Sequence, residues 1–488
     1  MIVYGTILAI EKYKNIVLDI LKEQKIYAQN NIYASSIEEI SNYIDVESVV
    51  LVMDPKDIEI IKYLYQHKVR NVYLPVCSRV LSIMDPNADS YFAEILKEND
   101  NWKWHKQVNR FKMLRGYLLH KTEVDYKPAH IQLEHTSFCN AKCIMCGHAM
   151  YGNKYARNIS NQLLTQIESL LPTCELMVLH GYGEPLLTEN LVDILKLYHK
   201  YDIEVTMNTN LSFLSESLLF QMKDMVKHLR VSCDAATKEL YEKIRPGLKY
   251  DTFIENTRKI KEVIPKIDLM MESVIMRQNL QQIPMLIKFA HDMDFSQISL
   301  NRLGSHPALN NEKDCLYNYP NLTSYYLKKG LMYAKKNNFK VFYPQEWLLE
   351  DEDEQIMQNE WDLINKLPFK MPLNIVMAKC KSYIRESDYL KNDSSLLREG
   401  KYRCSGICES LIGRTNIDLD GNVFVCCMNT LKKLGNLYET NYEDILNLTT
   451  LCKMRKTFYN DIVPKFCNTC SYVMNRTLAF ADIWGDKR

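Results

Sequence analysis

The chain has 488 residues, 47% of them hydrophobic, which suits about three domains with substantial cores and excludes a small disulfide scaffold. Its 61 basic and 60 acidic residues give a net charge of +1, which argues against bulk electrostatic binding of nucleic acid or an acidic membrane. The amino terminus is charged where a signal peptide needs an apolar core, and no apolar run approaches the roughly 18 residues of a membrane span. We therefore expect a soluble cytoplasmic protein with no nucleic-acid and no membrane partner.

Residues 1–95 alternate short β-branched runs with helical patterns, which predicts a small Rossmann-like α/β domain. The pattern resembles the amino-terminal domains of sugar-modifying enzymes from polysaccharide loci. Only Gly5 stands where a dinucleotide fingerprint needs three glycines, so a scaffold or docking role is favoured over nucleotide binding. Residues 96–127 then form a predicted helical linker.

From Ile131 the alternation becomes more regular, and helical segments separate six apolar runs of strand length. The predicted strands are 131–136, 176–181, 204–209, 229–234, 269–276 and 298–303. This order predicts an α/β core, a partial (β/α)6 barrel over residues 128–345, with ligands at the carboxyl ends of the strands. The polar motifs described below fall at those ends.

Residues 346–400 are predicted to be a linker, because residues 350–355 are an acidic run and Pro368 and Pro372 interrupt the pattern. Residues 401–488 are predicted to form a cysteine-rich β-hairpin and helix domain. Its hairpin has Asp420 and Gly421 as the turn between two alternating strands.

Many of the fifteen cysteines are clustered, and in a reducing cytosol clustered cysteines favour metal ligation or catalysis over disulfides. Cys139, Cys143 and Cys146 have the spacing C-x3-C-x2-C in the loop after the first barrel strand. A [4Fe–4S] cluster normally takes four thiolates, so three leave one iron open to a small molecule. The alternative is a zinc site that takes His148 as its fourth ligand.

This cysteine motif resembles the signature of the radical S-adenosylmethionine (SAM) superfamily. The resemblance implies that the amino and carboxylate groups of SAM chelate the open iron of the [4Fe–4S] cluster. An electron from flavodoxin or ferredoxin then cleaves SAM, and the 5′-deoxyadenosyl radical abstracts a substrate hydrogen. Met145 stands where many members have an aromatic residue, and its expected role is packing over the adenine.

Two further motifs resemble cofactor-binding elements of the same family. HGYGEP matches the glycine-glycine-glutamate element with a tyrosine inserted, which implies that Gly183 and Glu184 face the amino group of SAM. VSCDAATKELYEKIRPG implies that Ser232 and Arg245 lie beside the ribose and the carboxylate, and an arginine fork suits a carboxylate. Asp234 and Asn208 are weaker candidates, since polar residues at strand ends also cap turns.

The carboxyl-terminal cysteines resemble the SPASM/twitch extension of radical SAM enzymes. The resemblance implies one auxiliary [4Fe–4S] cluster, because the C-x2-C-x3-C element of the two-cluster form is absent. The ligands it implies are Cys408, Cys426, Cys467 and Cys470. Cys404 and Cys427 compete for two of these positions, and a zinc ribbon on the same residues is the alternative.

The predicted function is a radical SAM enzyme that oxidises or epimerises a sugar, a nucleotide-linked sugar or an aminocyclitol. The alternatives are a maturase of ribosomal peptides and a non-enzymatic electron-transfer or docking protein. Epimerisation requires a hydrogen donor, and Cys315 is the one candidate thiol. His135 and His180 adjoin the motifs, and each is either a packed core histidine or a catalyst.

Overall fold

A computed structural model describes most of the chain from residue 58 onward and three short strands before it. The described residues are 2–4, 32–34, 50–52, 58–77, 79–97, 101–148, 152–304, 309, 311–369, 399–403, 408–426, 433–460, 462–464 and 467. Gly5 and most of the predicted linker at 346–400 lie outside them.

The amino-terminal residues form a five-stranded sheet. Its strands are β1 (Ile2–Tyr4), β2 (Ile32–Ala34), β3 (Val50–Val52), β4 (Val72–Val76) and β5 (Arg79–Ser82). The order is β2-β1-β3-β4-β5, in which the first four strands are parallel and β5 returns antiparallel to β4. Helices α1 (Ile58–Gln66) and α2 (Ala88–Lys97) belong to this unit, which has the predicted α/β character.

A single long helix, α3 (Trp102–Leu118), follows where the sequence predicts a helical linker. Asn101 caps its first turn by accepting a hydrogen bond from the Lys103 amide at 3.0 Å. Arg110 on this helix pairs with Glu175. The helix therefore joins the amino-terminal unit to the larger sheet through an ion pair with little solvent access.

The larger sheet has ten strands. They are β6 (His130–Leu133), β7 (Leu176–Leu179), β8 (Glu204–Thr209), β9 (His228–Ser232), β10 (Asp268–Ile275), β11 (Gln297–Arg302), β12 (Lys340–Phe342), β14 (Arg414–Ile417), β15 (Asn422–Phe424) and β16 (Lys433–Asn436). The order is β12-β11-β10-β9-β8-β7-β6-β14-β15-β16, and all neighbours from β12 to β14 are parallel. The six predicted barrel strands are β6 to β11.

Helices separate the parallel strands as the (β/α) prediction requires. They are α4 (Asn161–Glu168), α5 (Leu191–Lys200), α6 (Glu216–Met222), α7 (Lys238–Ile244), α8 (Tyr250–Val263), α9 (Ile283–Asp292), α10 (Pro320–Lys336) and α11 (Glu354–Lys366). The carboxyl-terminal region adds α12 (Tyr442–Leu446), α13 (Thr449–Tyr459) and a strand pair, β13 (Glu399–Arg403) with β17 (Ile462–Pro464). None of the helices described is both long and apolar enough to cross a membrane.

The predicted hairpin is present as β14 and β15, with Gly421 in its turn at φ +72°. The sequence does not show where it docks. Strand β14 lies parallel to β6, with Arg414 opposite His130, so the hairpin extends the barrel sheet. An edge strand leaves its backbone donors and acceptors open, and β14 satisfies those of β6.

The two faces of the larger sheet differ in chemistry. One face is apolar and fully buried, with residues such as Leu133, Leu179 and Val231. Alternate positions on the same strands, such as Gln132, Asn208 and Arg230, are polar and only partly buried. Since side chains alternate along a strand, the apolar face packs under the helices and the polar face lines the inside of the partial barrel.

Candidate functional site

The cysteine loop follows β6, and two backbone hydrogen bonds hold it on either side of Cys143. The Lys142 amide donates to the Pro246 carbonyl at 2.7 Å, and the Ile144 amide donates to the Ile244 carbonyl at 2.9 Å. Gly247 has φ +98°, and a Cβ there would lie 2.6 Å from the Asn140 carbonyl oxygen. The loop is therefore fixed against the segment after α7, where Arg245 lies.

Asn153 fixes the first cysteine of the loop from a different part of the chain. Its side-chain oxygen accepts from the Cys139 amide and its side-chain nitrogen donates to the Cys139 carbonyl, both at 3.0 Å. The side chains of Cys139, Cys143 and Cys146 are each partly buried. Three thiols thus lie in one constrained loop at the carboxyl end of the sheet.

Arg245 links the cysteine loop to β9. Its guanidinium lies 2.6 Å from the carboxylate of Asp234 and its Nη1 lies 3.8 Å from the Cys143 sulfur. Asp234 is wholly buried and also accepts a hydrogen bond from the Val274 amide at 2.8 Å. The two charges compensate each other inside the protein, and the arginine also presents positive charge to a thiol.

Burial dominates the protonation of the thiols. It raises the pKa of Cys143 to about 12, against the lowering effect of Arg245. It also raises the pKa of Cys139 to about 11. These thiols favour the neutral form until a cation binds them, because burial disfavours an uncompensated thiolate.

Glu184 is buried, and its carboxylate is occupied by hydrogen bonds from the chain. It accepts from the Thr209 hydroxyl at 2.6 Å, from the Asn210 amide at 2.7 Å and from the Leu186 amide at 3.1 Å. Burial raises its pKa, while these donors act in the opposite direction. A carboxylate has about four acceptor positions, so about one remains for an outside donor such as an ammonium group.

Gly183 packs closely against the backbone of the segment that leads into the cysteine loop. A Cβ at this position would lie 2.1 Å from the Thr136 carbonyl oxygen and 2.9 Å from that of Phe138. The next residue, Glu184, donates its amide to the Phe138 carbonyl at 2.8 Å. The sequence predicts an approach of Gly183 to a ligand, and the structure accounts for the glycine by this contact within the chain.

The remaining candidates lie on the polar face or beside the loop. Ser232 ends β9 and pairs in register with Glu272 on β10. Asn208 donates its side-chain amide to Glu272 at 3.3 Å. Met145 is partly buried against the core. The structure brings Asn208 and Ser232 to neighbouring strands and places Cys143 with Arg245 and Asp234.

The three histidines near the motifs have different surroundings. His135 is buried between the Leu133 carbonyl at 2.9 Å and the Tyr198 hydroxyl at 2.6 Å, which is the packed core arrangement. His148 uses Nε2 to bond the Ser137 carbonyl at 3.0 Å. His180 follows β7 on the polar face and is solvent-accessible.

Cys315 is buried, and its sulfur lies 3.5 Å from the carbonyl oxygens of Leu303 and Asn311. Burial raises its pKa to about 11. Both features are typical of an unreactive cysteine.

Sequence reasoning missed the residues that hold Glu184. Thr209 and Asn210 end and follow β8, and Asn210 donates its side-chain amide to Asn140 in the cysteine loop at 3.0 Å. Asn140 in turn donates to the Ser212 hydroxyl at 2.7 Å. Their position in the sequence could have indicated this role, since polar residues directly after a parallel strand lie at its ligand-binding end.

The second group of cysteines is described only in part. Cys408 precedes a short 3-10 turn, Cys426 lies two residues beyond β15, and Cys467 follows β17, each partly buried. Cys470, Cys404 and Cys427 lie outside the described residues. Within the described part of the chain, no three histidine, cysteine, aspartate or glutamate side chains converge as a metal-ion site.

Two family models match the chain at the places that this geometry singles out. The model of the radical SAM superfamily matches residues 133–290. Residues 133–290 are therefore a radical SAM domain. The model of an iron–sulfur cluster-binding domain, SPASM, matches residues 408–471. Radical SAM and SPASM domains use SAM with a [4Fe–4S] cluster and an auxiliary cluster, which confirms the predicted cofactors.

A search of curated proteins found no match. Solved structures similar to this chain include SuiB of Streptococcus suis bound to S-adenosylmethionine, at 14% identity and TM-score 0.47, covering 76% of this chain and 79% of that one. The anSMEcpe structure with bound AdoMet has 14% identity, TM-score 0.46 and coverage of 72% and 88%. BtrN in complex with AdoMet and 2-DOIA has 15% identity, TM-score 0.32 and coverage of 69% and 89%.

The residues of the first site fit the radical SAM cluster by the chemistry of their donors, although the three thiols, all among the described residues, do not converge as a metal-ion site in this structure. Three thiols of one fixed loop are the donor set that such a cluster needs, and Arg245 supplies positive charge next to one of them. For the auxiliary cluster, three of the four implied ligands are described: Cys408 before a 3-10 turn, Cys426 after β15 and Cys467 after β17.

Proposed function

We propose that this radical SAM enzyme abstracts a hydrogen atom from a sugar, a nucleotide-linked sugar or an aminocyclitol, and that the outcome is oxidation or epimerisation. The polar inner face of the partial barrel is the observation that carries the proposal. A hydroxyl-rich substrate exchanges hydrogen bonds with such a face, whereas an apolar side chain would leave its polar groups unpaired.

The contacts on that face support a small polar substrate. Arg230 and Asn208 both reach Glu272, at 3.4 Å and 3.3 Å. Arg414 donates to the Gln132 side chain at 2.7 Å. Side chains of several strands thus offer donors and acceptors to the inside of the barrel.

The cysteine loop holds the radical-generating group in this proposal, with Cys139, Cys143 and Cys146 as ligands. When bound, the cluster and SAM supply a carbon-centred radical that removes a hydrogen atom from the substrate. Arg245 stabilises the Cys143 thiolate by its positive charge, and its Nε, which has no hydrogen-bond partner among the described residues, remains as a donor to the SAM carboxylate.

The other cofactor contacts are Gly183, Glu184 and Ser232. We assign Glu184 the one acceptor position that Thr209, Asn210 and Leu186 leave open, which suits the amino group of SAM. Gly183 acts by letting this segment pack on the cysteine loop. We assign the contact with the ribose to Ser232, which ends β9.

The SPASM region completes the proposal with Cys408, Cys426, Cys467 and Cys470 as ligands of the auxiliary cluster. In an oxidation the substrate would lose one electron with the abstracted hydrogen atom, and these four cysteines would hold the cluster that accepts its second electron. Flavodoxin or ferredoxin would supply the separate electron that cleaves SAM. The buried position of Cys315 supports oxidation over epimerisation, since a hydrogen donor must reach the substrate. If the Cys315→Ala variant epimerises its substrate as fully as wild type does, Cys315 is not the hydrogen donor.

We further propose that residues 1–95 are a scaffold or docking domain, joined through the linker 96–127 to the core at 128–345. The linker 346–400 then leads to the auxiliary domain at 401–488. The mostly parallel amino-terminal sheet supports a carbohydrate enzyme over a peptide maturase, whose recognition domain opens with a three-stranded β-sheet.

The test is hydrogen transfer from deuterated substrates. The reconstituted enzyme is incubated anaerobically with SAM, dithionite and one deuterated candidate, and 5′-deoxyadenosine is analysed by mass spectrometry. Deuterium incorporated from a sugar, a nucleotide-linked sugar or an aminocyclitol supports the proposal. Deuterium incorporated only from a peptide would replace it with the maturase function.

The triple variant Cys139→Ala/Cys143→Ala/Cys146→Ala is expected to form no 5′-deoxyadenosine. Cys452→Ala is the matched control, because Cys452 lies on α13 outside both predicted ligand sets. If the triple variant still cleaves SAM, the first loop does not initiate the radical and the catalytic proposal fails.

A further inference from the structure

The inner face near β6, β7 and β14 carries concentrated positive charge. Arg230 and Arg414 both act on the imidazoles of His180 and His130. The pKa of His180 is lowered to about 4 and that of His130 falls well below its usual value, in both cases first by burial and then by these arginines. His180 itself keeps access to solvent.

The same face contains buried polar atoms that lack partners. His130, Asn416 and Thr206 are 2%, 3% and 4% exposed. Both ring nitrogens of His130, both amide atoms of Asn416 and the Thr206 hydroxyl have no hydrogen-bond partner within the described part of the chain. Each unpaired group costs about 1–3 kcal/mol, so a set of them on one face indicates a missing polar ligand.

Strand register places these groups on adjoining strands. Arg414 lies opposite His130 and Asn416 lies opposite Gln132. On the other side of β7, Asn208 lies opposite Arg230. Paired residues of parallel strands face the same side, so both arginines lie on the lumen face of the sheet.

We propose that this lumen cluster, defined as His130, Thr206, Arg230, Arg414 and Asn416, binds a phosphate group of the substrate. Two arginines match the roughly two negative charges of a phosphate, and their forks suit its oxygens. The uncharged imidazole and amide groups add hydrogen bonds without further charge. Glu272 pairs with Arg230 at 3.4 Å and limits the excess charge when phosphate is absent.

The inference rests on the proposed function and narrows its substrate to a phosphorylated or nucleotide-linked sugar. Arg230 precedes Ser232 at the carboxyl end of β9 by two residues, which corresponds to about 7 Å along a strand. The phosphate would therefore lie deeper in the barrel than the cofactor, at a distance that one hexose ring can span. This depth leaves the sugar carbons at the cofactor end.

The test measures binding of inorganic phosphate to the cluster-reconstituted holoenzyme by isothermal titration calorimetry, without SAM or reductant. Arg230→Gln and Arg414→Gln are each expected to raise the Kd at least tenfold. Arg414→Lys keeps the charge without the fork and is expected to fall between wild type and Arg414→Gln. Arg258→Gln, which removes an exposed arginine of α8, is expected to bind phosphate like wild type.

Acetate separates phosphate from carboxylate recognition, since it carries a single charge. Acetate binding as tight as phosphate binding would overturn the proposal. Loss of phosphate binding in the control Arg258→Gln, with binding retained in Arg230→Gln and Arg414→Gln, would also overturn it. Iron content and thermal unfolding verify that each variant is folded. If the enzyme binds phosphate but abstracts hydrogen from no sugar, the lumen cluster is a phosphate site and the proposed sugar function is wrong. If it turns over an uncharged aminocyclitol and binds no phosphate, the proposed function holds and the phosphate site is wrong.

Discussion

The α carbon of Gly183 lies so close to the Thr136 carbonyl that a methyl group on it would stand 2.1 Å from that oxygen. This contact joins the segment after β7 to the start of the cysteine loop after β6. The Phe138 carbonyl, one residue before Cys139, accepts the Glu184 amide at 2.8 Å. The glycine-glutamate segment and Cys139, the first proposed cluster ligand, are therefore positioned by each other.

Gly183→Ala is expected to destabilise the protein by about 1–3 kcal/mol, because backbone carbonyls must move to admit the methyl group. The movement displaces the loop that carries Cys139, so iron bound at the first cluster should also fall. Thermal unfolding and iron content measure both effects. Gly304→Ala is the control, since no atom of the described residues lies within 4 Å of a Cβ at that position. Equal stability and iron content in the two variants would show that the close approach is absent in solution.

Asp234→Asn is expected to destabilise the protein by about 3–5 kcal/mol, because it leaves the buried Arg245 charge without a counter-ion. The asparagine side chain still has an oxygen that can accept the hydrogen bond from the Val274 amide. The loss of stability therefore comes mainly from the missing negative charge. Urea unfolding measures it, with the exposed Asp224→Asn as control. The double variant Asp234→Asn/Arg245→Gln should lose less than the sum of the two single changes. Additive losses would contradict a direct pairing.

The sequence pattern is sufficient to predict the six parallel strands, because apolar runs and helical segments alternate regularly from β6 to β11. It also locates the three cysteines of the first loop, since their spacing is local. It does not reveal that Glu184 is held by Thr209 and Asn210, or that Arg245 pairs with Asp234. Those partners lie on other strands, and a hydrogen bond between distant segments leaves no periodic signal in the sequence.

The docking of β14 on β6 is another feature that sequence does not supply. The turn at Asp420 and Gly421 predicts a hairpin, yet any exposed edge of a sheet can accept its outer strand. Nearly three hundred residues separate the two paired strands, as in the bond between Arg414 and Gln132. The lumen cluster depends on this pairing, because Arg414 and Asn416 reach the barrel only through β14.

Cys426→Ala is expected to reduce reconstituted iron from about eight to about four atoms per chain, because it removes a proposed ligand of the auxiliary [4Fe–4S] cluster. The first-loop triple variant should show the same loss, with the auxiliary cluster retained. Cys452→Ala should keep the full content. Full iron in Cys426→Ala together with loss in Cys427→Ala would assign the ligand to the neighbouring cysteine, and zinc in place of iron would indicate a zinc ribbon.

His228 joins three strands at the end of the barrel opposite the cysteine loop. Its Nδ1 lies 3.0 Å from Asp268 and its Nε2 lies 3.0 Å from Glu204, so the first residues of β8, β9 and β10 form one ionic group. Hydrogen bonds to Asp268 and then Glu204 raise the pKa of His228 to about 9, against the effect of burial. The protonated imidazole is therefore stabilised by folding.

A histidine whose pKa is higher in the folded state stabilises the protein fully below its unfolded pKa of about 6.5. The contribution declines as the pH rises and is lost above about 9, the folded pKa. We expect this contribution to be about 2 kcal/mol after allowance for the solvent exposure of both carboxylates.

Urea unfolding of wild type should therefore show the free energy of unfolding falling between about pH 6.5 and pH 9. The His228→Gln variant should lack this fall. His199→Gln, an exposed histidine in the last turn of α5, should retain it. The same slope in His228→Gln and wild type would mean that the imidazole is not protonated between these carboxylates.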